Sequence, residues 1–351
     1  MTTDPMLTPP ATAGPDAALA VWRARALELE RVIGRVVVGQ SRAIRLLTIA
    51  VLARGDVLLE GSVGVGKTVL LRSFARVIGG AYERIEGTVD LMPADLVYYT
   101  YVDEQGSPRV APGPLLKHGE ALALFFFNEV NRARPQLHSL LLRVMAERSI
   151  TAFNREYRFP HLQIVADRNR VEKEETFELP AAARDRFLME IPIEAPSEPE
   201  LQRALMFDPR FHDTTELVDE LPAGLLPHAE LGRIAALIQR HVRATETLQS
   251  YAVNLCRATA APAAFGVHVD GADAESLVLA GVSPRGSSML LRAARVAAWL
   301  EGRDMLVPED LHAVFLETVA HRVFFRPVYE LRRAELAPEF LRAVLARVPV
   351  P

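Results

Sequence analysis

Cysteine is almost missing from this chain: Cys256 is the single one among 351 residues. One thiol cannot close an intrachain disulfide or build a thiolate metal cage, so the sequence reads as a cytoplasmic protein and not as a stapled secreted domain. Taken alone, Cys256 is a small buried apolar residue. Long apolar runs are missing too. None approaches the roughly 20 residues that a membrane-spanning helix needs, and the most apolar short stretch, Ala121 to Phe127, fits a buried strand. The first residues lack a basic region followed by an apolar one, so no secretory signal is expected. A basic excess is also absent. The 40 Lys and Arg against 44 Asp and Glu leave a net charge of -4, which disfavours binding of nucleic acid by charge alone and leaves only a local basic patch open.

What is present is ample material for a packed interior, with 50% hydrophobic and 24% charged residues, enough for two domains or one large domain with a lid. Residues 1–16, rich in Pro, Thr and Ala without a period, predict a flexible tail. Helical spacing follows from Ala17 into Val36 and again from Ser41 to Ala53. The texture then changes to strand Asp56 to Glu60, a Gly-rich loop, and a helix from Thr68 to Val77. Alternation continues with a helix at Met92 to Leu96, a hairpin over Tyr98 to Val110 turning at Asp103 to Gly106, and a strand over Leu122 to Phe127. A helix over Pro135 to Arg148 and a hairpin over Ile150 to Phe159 come next. Strand Leu162 to Ala166, a helix at Ala181 to Arg186 and strand Leu188 to Ile193 close the block. Apolar strands alternating with helices predict an α/β fold whose mainly parallel sheet is sandwiched by helices. After Ala195-Pro196-Ser197 the strands are expected to stop. Residues 17–196 thus predict an α/β core and 197–351 an all-α lid domain.

The segment Gly61-Ser62-Val63-Gly64-Val65-Gly66-Lys67-Thr68 fits G-x-x-x-x-G-K-[ST], after a strand and at a helix N-terminus, as phosphate binding requires. Glycines let the backbone approach phosphates, while helix N–H groups and Lys67 stabilise their charge. Thr68 would ligate magnesium through its hydroxyl. The alternative is a Gly-rich turn with an ordinary lysine. Further along, strand Ala123 to Phe127 ends in Asn128-Glu129. Ligands sit beyond the carboxyl ends of strands in open α/β sheets, so Glu129 is the candidate for orienting and deprotonating an attacking water. A salt-bridged acid at a strand end is the alternative.

Several ordered segments together resemble the MoxR family of AAA+ ATPases: Val37-Val38-Gly39-Gln40, the phosphate loop, Pro112-Gly113-Pro114, Asn128-Glu129-Val130-Asn131-Arg132-Ala133, Leu179-Pro180 followed by Asp185-Arg186-Phe187, and Ser283-Pro284-Arg285. The resemblance covers nearly everything from Val36 to Asp310. It implies ATP and Mg2+ as cofactors and adds Gly39, Gln40 and Val69 to the nucleotide-binding residues. It implies that Asn169 reads the γ-phosphate and the nucleophilic water, that Arg186 is the finger reaching a neighbouring subunit's ATP, and that Arg285 is a second sensor on the lid. The residues agree for Arg285: Ser283 has the character of an N-cap and Pro284 of a first helical residue, and a cation in a first turn opposes the helix dipole unless it meets an anion. A solvated surface arginine, a turn residue at Asn169 and an intrachain salt bridge at Arg186 remain the alternatives.

Asn128 departs from the family pattern, which has Asp there. A unit charge facing a dication at ~5 Å with effective dielectric ~20 is worth up to ~6 kcal/mol before solvation offsets it. Asp167 lies two residues before Asn169, on the same strand face by the period of two, where relatives carry an uncharged residue. In the strand order the resemblance implies, this strand lies between the phosphate-loop strand and the Asn128 strand. The expectation is that the magnesium-supporting carboxylate has moved from position 128 to position 167; a local loop cap is the alternative.

A finger supplied in trans makes assembly part of the active site, so the resemblance implies a homo-oligomeric ring, a hexamer. It also implies a chaperone-like motor working with a von Willebrand factor A domain protein on a client metalloenzyme. The stretch from Asn128 to Leu179 is most similar to members associated with methanol dehydrogenase. The two hairpins would face partner or pore, with Phe153, Arg155 and Tyr157 as contact candidates, or be ordinary solvated hairpins. An ATP-binding assembly scaffold with little hydrolysis is the second reading. A DNA-engaged motor is disfavoured by the acidic balance and the absence of a Gly-Ala-Phe-Thr-Gly-Ala loop, and a small-molecule P-loop kinase leaves the finger and lid without a purpose.

Overall fold

A computed structural model describes residues 15–169 and 177–351. The expected tail over residues 1–16 falls almost wholly outside them, as does most of the segment that follows Asn169. Two helices, α1 (Pro15–Val36) and α2 (Ser41–Leu52), open the described chain. There follow β1 (Val57–Glu60), α3 (Lys67–Ile78), β2 (Ala81–Glu86), α4 (Pro93–Val97), and the hairpin β3 (Tyr98–Val102) with β4 (Pro108–Pro112). Next are β5 (Leu122–Asn128), α5 (Pro135–Glu147), the hairpin β6 (Ser149–Ala152) with β7 (Arg155–Arg158), β8 (Gln163–Arg168), α6 (Ala181–Arg184) and β9 (Met189–Pro192). The remainder holds α7 (Pro199–Phe207), α8 (Thr214–Asp219), α9 (Leu231–His241), α10 (Glu246–Ala260), β10 (Val278–Ala280), α11 (Pro284–Leu300), α12 (Pro308–Val319), β11 (Phe324–Phe325), α13 (Pro327–Glu330) and α14 (Arg333–Arg347).

The main sheet runs in the order β2-β5-β8-β1-β9, with parallel pairing of β2 to β5, β5 to β8 and β8 to β1. The Asp167 strand therefore lies between the phosphate-loop strand and the Asn128 strand, the order the resemblance implied. All seven residues of β5 are buried, as a strand covered on both faces requires. Asp56 ties the foot of this sheet together: its carboxylate pairs with Arg148 at 2.9 Å and accepts the Ile164 N–H at 2.8 Å, while burial pushes its pKa up. Strand β2 was not expected. Its sequence Ala-Tyr-Glu-Arg-Ile-Glu is half charged because it forms a sheet edge, and Ala81, Tyr82 and Ile85 do not alternate, so it shows no period-two signal.

Two compact units emerge. One holds Ala24–Arg186 with Ile191–Gly232; the other holds Arg233–Pro351 with Phe187–Glu190 and the beginning of α1. The division at Gly232 comes later than the break at Pro196 that the disappearance of strands suggested. Helix α8 packs on α3, and the chain beyond it is stitched there: Gly224 and Leu226 N–H donate to the carbonyls of Arg76 and Val77, and Arg76 donates to Leu221 and Asp219 carbonyls.

The second unit is a helical lid in which α11 packs on α12, and α12 and α10 on α14. Strands do not stop after residue 197 as expected, since β10 and β11 form a small antiparallel ladder. With three and two residues, they are too short to show a period. Arg322 is buried in this unit and donates to the backbone carbonyls of Thr318, Phe187 and Leu188. Among the described residues, no helix is long and apolar enough to cross a membrane.

Candidate functional site

Strand β1 delivers the chain into the phosphate loop and α3 carries it away, so the loop sits at a helix N-terminus. A side chain at Gly61 would place its Cβ 2.3 Å from the Ile193 carbonyl, which explains glycine where the loop begins beside the chain beyond β9. Gly66, just before the helix, has φ +88°, and a Cβ there or at Gly64 would meet nothing within 4 Å. The cradle is open on the side where an anion would lie. Ser62, Val63 and Gly64 are exposed at its crest, Val65, Gly66, Thr68 and Val69 are half-buried, and Lys67 is buried. Upstream, Gly39 lies against Pro196 and Leu201, and the Gln40 side chain donates to the Glu194 carbonyl, which fixes the Val37–Gln40 segment beside the chain leaving the sheet.

Lys67 is engaged. Its Nζ donates to the Gly61 carbonyl at 2.9 Å and lies 2.6 Å from Asp167 Oδ2. Asp167 is fully buried near the carboxyl end of β8, and its Oδ1 accepts the backbone N–H of Glu129 at 2.5 Å. Burial pushes the Asp167 carboxyl above its ordinary range, while Lys67 and the Glu129 N–H pull in the other direction. With its amide oriented to satisfy both neighbours, Asn128 donates to Asp167 Oδ1 at 3.3 Å and accepts from Arg84 at 3.2 Å. A connected row results, running from Arg84 through Asn128 and Asp167 to Lys67. A carboxylate at 128 would face Asp167 across that contact, so the amide and the acid at 167 are mutually consistent.

Glu129 follows β5 with φ +52°, a left-handed conformation that non-glycine residues seldom adopt and that collects at functional sites. Its Oε2 accepts from Arg132 at 2.9 Å. The short turn Val130–Arg132 that presents it is fastened from below, because His138 Nε2–H donates to the Val130 carbonyl at 2.8 Å and Phe177 N–H to the Asn131 carbonyl at 2.6 Å. Burial holds the His138 imidazole below its ordinary pKa of 6.5, favouring the neutral ring that this contact uses.

The structure thus brings Lys67, Asn128, Glu129 and Asp167 together at the ends of β1, β5 and β8, with Asn169 buried just beyond β8. Arg186 follows α6; its guanidinium donates to the Ala182 carbonyl at 2.9 Å and has no carboxylate partner among the described residues. Arg285 stands exposed in the first turn of α11, in the other unit, where Ser283 Oγ accepts the Gly286 N–H at 3.0 Å as the cap expected there. Arg84, Arg132 and His138 were not singled out by sequence. Arg84 was hidden with its strand; Arg132 was visible only as part of a motif, and a buried histidine on an apolar helix face carries no signal of its own.

For magnesium, which keeps several waters and takes phosphate oxygens, the half-buried Thr68 hydroxyl at the loop is a suitable protein donor. The carboxylates are otherwise occupied, and among the described residues no three His, Cys, Asp or Glu side chains group as a metal site.

Comparison with known proteins accords with this geometry. Residues 56–189 match the model of the ATPase family associated with various cellular activities (AAA), and residues 272–341 match that of the AAA lid domain. The chain is 61% identical over 336 residues to Protein MoxR of Methylorubrum extorquens, covering 96% of this chain and 98% of the relative. It is 55% identical to Protein MoxR of Paracoccus denitrificans over 96% and 99% of the two chains. Against Chaperone MoxR1 of Mycobacterium tuberculosis the identity is 33%, over 92% and 82%. A crystal structure of a protein from Cytophaga hutchinsonii assigned as an ATPase superposes with a TM-score of 0.81 at 27% identity, covering 96% of this chain and 98% of that one.

Proposed function

The chain belongs to the MoxR family of AAA+ ATPases, and from that premise we propose that it is an ATP-hydrolysing ring motor that remodels a client enzyme. The observation that carries the reading is the assembly of an open phosphate cradle, Lys67 and Glu129 at the carboxyl ends of neighbouring strands. Loop N–H groups and Lys67 hold the phosphates. Thr68 holds the magnesium, whose charge offsets that developing on the phosphoryl group. Glu129 orients the water and takes its proton, and to do so it must give up Arg132. Asn169 reads the terminal phosphate, Arg285 senses it from the lid, and Gly39, Gln40 and Val69 contribute to the nucleotide pocket. Asp167 supplies the negative charge that Asn128 lacks once Lys67 turns to the phosphates.

Arg186 acts in trans, which makes a homo-oligomer, a hexamer, the working form. The lack of a carboxylate partner for its guanidinium among the described residues supports an external anion. The partner is a von Willebrand factor A domain protein and the client a metalloenzyme; the stretch from Asn128 to Leu179, similar to that of members associated with methanol dehydrogenase, favours that enzyme as the client, matured in the cytoplasm. Exposed Tyr99, Tyr101 and Phe153 on the two hairpins, with Tyr98 and Phe153 rings 5.5 Å apart, support a contact role for that surface. The second reading, a nucleotide-gated scaffold with little hydrolysis, is favoured by Asn128 and by the Glu129–Arg132 pair.

Glu129→Gln tests the motor. Steady-state ATP turnover should fall by about two to four orders of magnitude with ATP binding retained. Affinity capture of that variant with ATP should retain the client and partner. Turnover equal to the unaltered protein removes Glu129 from the chemistry; an unaltered protein that assembles on ATP without measurable turnover selects the scaffold.

A further inference from the structure

We infer that the helical lid binds a small amphipathic carboxylate, its alkyl chain among apolar walls between α10 and α11 and its head group against Arg295. A cavity of about 810 Å3 lies there, within the size range of small-molecule sites. Leu248, Val282, Leu290, Leu291 and Leu306 form much of its wall. Every lining residue belongs to the lid unit, so the cavity is a property of that unit by itself.

Arg295 breaks the apolar lining. Its Nε is buried and has no hydrogen-bond partner, and no carboxylate pairs with its guanidinium among the described residues. Burial lowers its pKa from the ordinary guanidinium value, and no neighbouring charge opposes the shift. A guanidinium remains protonated regardless, so the half-buried Arg295, its Nε withdrawn from solvent, is a cation without a counterion among the described residues. None of the three acids of α12 pairs with Arg295 among the described residues: Asp310 is paired with Arg303, Glu309 acts on Tyr251 and His312, and Glu317 makes no ion pair with Arg295. An anion entering the cavity would meet the planar fork of this half-buried guanidinium, and one such cation matches a single negative charge. Arg257, the other lining cation, stands exposed at the rim. The apolar walls call for a hydrocarbon body behind that charge, which together define a carboxylate on an alkyl chain.

Cys256 lines the same cavity and is the single thiol of the chain, so it reports on occupancy without engineering. The full-length protein is treated with N-ethylmaleimide alone, with dodecanoate, with dodecan-1-ol and with dodecyltrimethylammonium, all below their micellar concentrations. Saturable dodecanoate binding to Cys256→Ser, followed by calorimetry, provides a readout that does not depend on the thiol. One dodecanoate should bind per chain and slow Cys256 modification about tenfold, with the alcohol binding about tenfold more weakly and the cation weaker still. Arg295→Gln should erase the advantage of the carboxylate over the alcohol, and Arg295→Lys should keep part of it; thermal melts and ATP turnover of both variants check their folding. Dodecanol binding as tightly as dodecanoate, or an unchanged preference in Arg295→Gln or a full loss in a folded Arg295→Lys, overturns the assignment. So does protection of Cys256 that grows with protein concentration in the absence of any amphiphile, which would give the groove to a second copy of the chain.

Discussion

Asp167 and Lys67 are far apart in the chain and 2.6 Å apart in space. The sequence marked Asp167 as a displaced carboxylate because it sits two residues before Asn169 on a strand whose neighbour ends in Asn128. Its pairing with Lys67 was not legible, since that depends on the strand order and on how far a loop lysine reaches back. Asp167→Asn should lower magnesium-dependent ATP turnover by about tenfold or more, and adding Asn128→Asp should recover part of it; a magnesium titration of both variants checks this, and an unaffected single variant ends the role given to Asp167. His138 offers a test by pH. Its folded-state pKa lies below 6.5, so the unfolded chain takes up the proton first. The His138 contribution is complete above about 6.5 and is lost as pH falls below it, by up to about 1.4 kcal/mol per pH unit. His228 and His312 shift in the same direction, so the measurement is the difference in urea midpoint between the unaltered protein and His138→Gln from pH 7.5 to 5. The variant should show the shallower acid-side decline.

Elements with a full apolar period were readable in advance, and those defined by their neighbours were not. Strand β5 announces itself through Leu122 to Phe127, all buried, and the hairpin turn at Asp103 is fixed by its own carboxylate, which accepts the Gln105 and Ser107 N–H groups. Strand β2 is a half-charged sheet edge, and β10 and β11 exist only as each other's partners. Helix α11 was legible at its start, where Ser283 and Pro284 spell a cap and a first turn. Ser283→Ala should cost about 1 kcal/mol of lid stability, read as a shift of the denaturation midpoint. A midpoint that does not move would mean that packing of α11 on α12 alone sets where the helix begins.

At the scale of the whole molecule, an α/β core with a helical lid was legible in the sequence, while the point at which the compact units divide was not, because α8 follows the last strand of the sheet yet packs with α3. Assembly is where the motor reading is most exposed. With ATP and magnesium the chain should sediment as a closed oligomer, and Arg186→Ala should assemble comparably while losing about three orders of magnitude in turnover. A solitary chain at saturating nucleotide, with Arg186→Ala fully active, ends that reading. The ion pair beneath the phosphate loop adds a last consequence. An arriving triphosphate finds its cation already answered by a resident acid, so binding is a substitution of one anion for another and not the neutralisation of a bare ammonium. Affinity then reflects the difference between two counterions, and added salt should weaken it less than the charge of the nucleotide alone suggests.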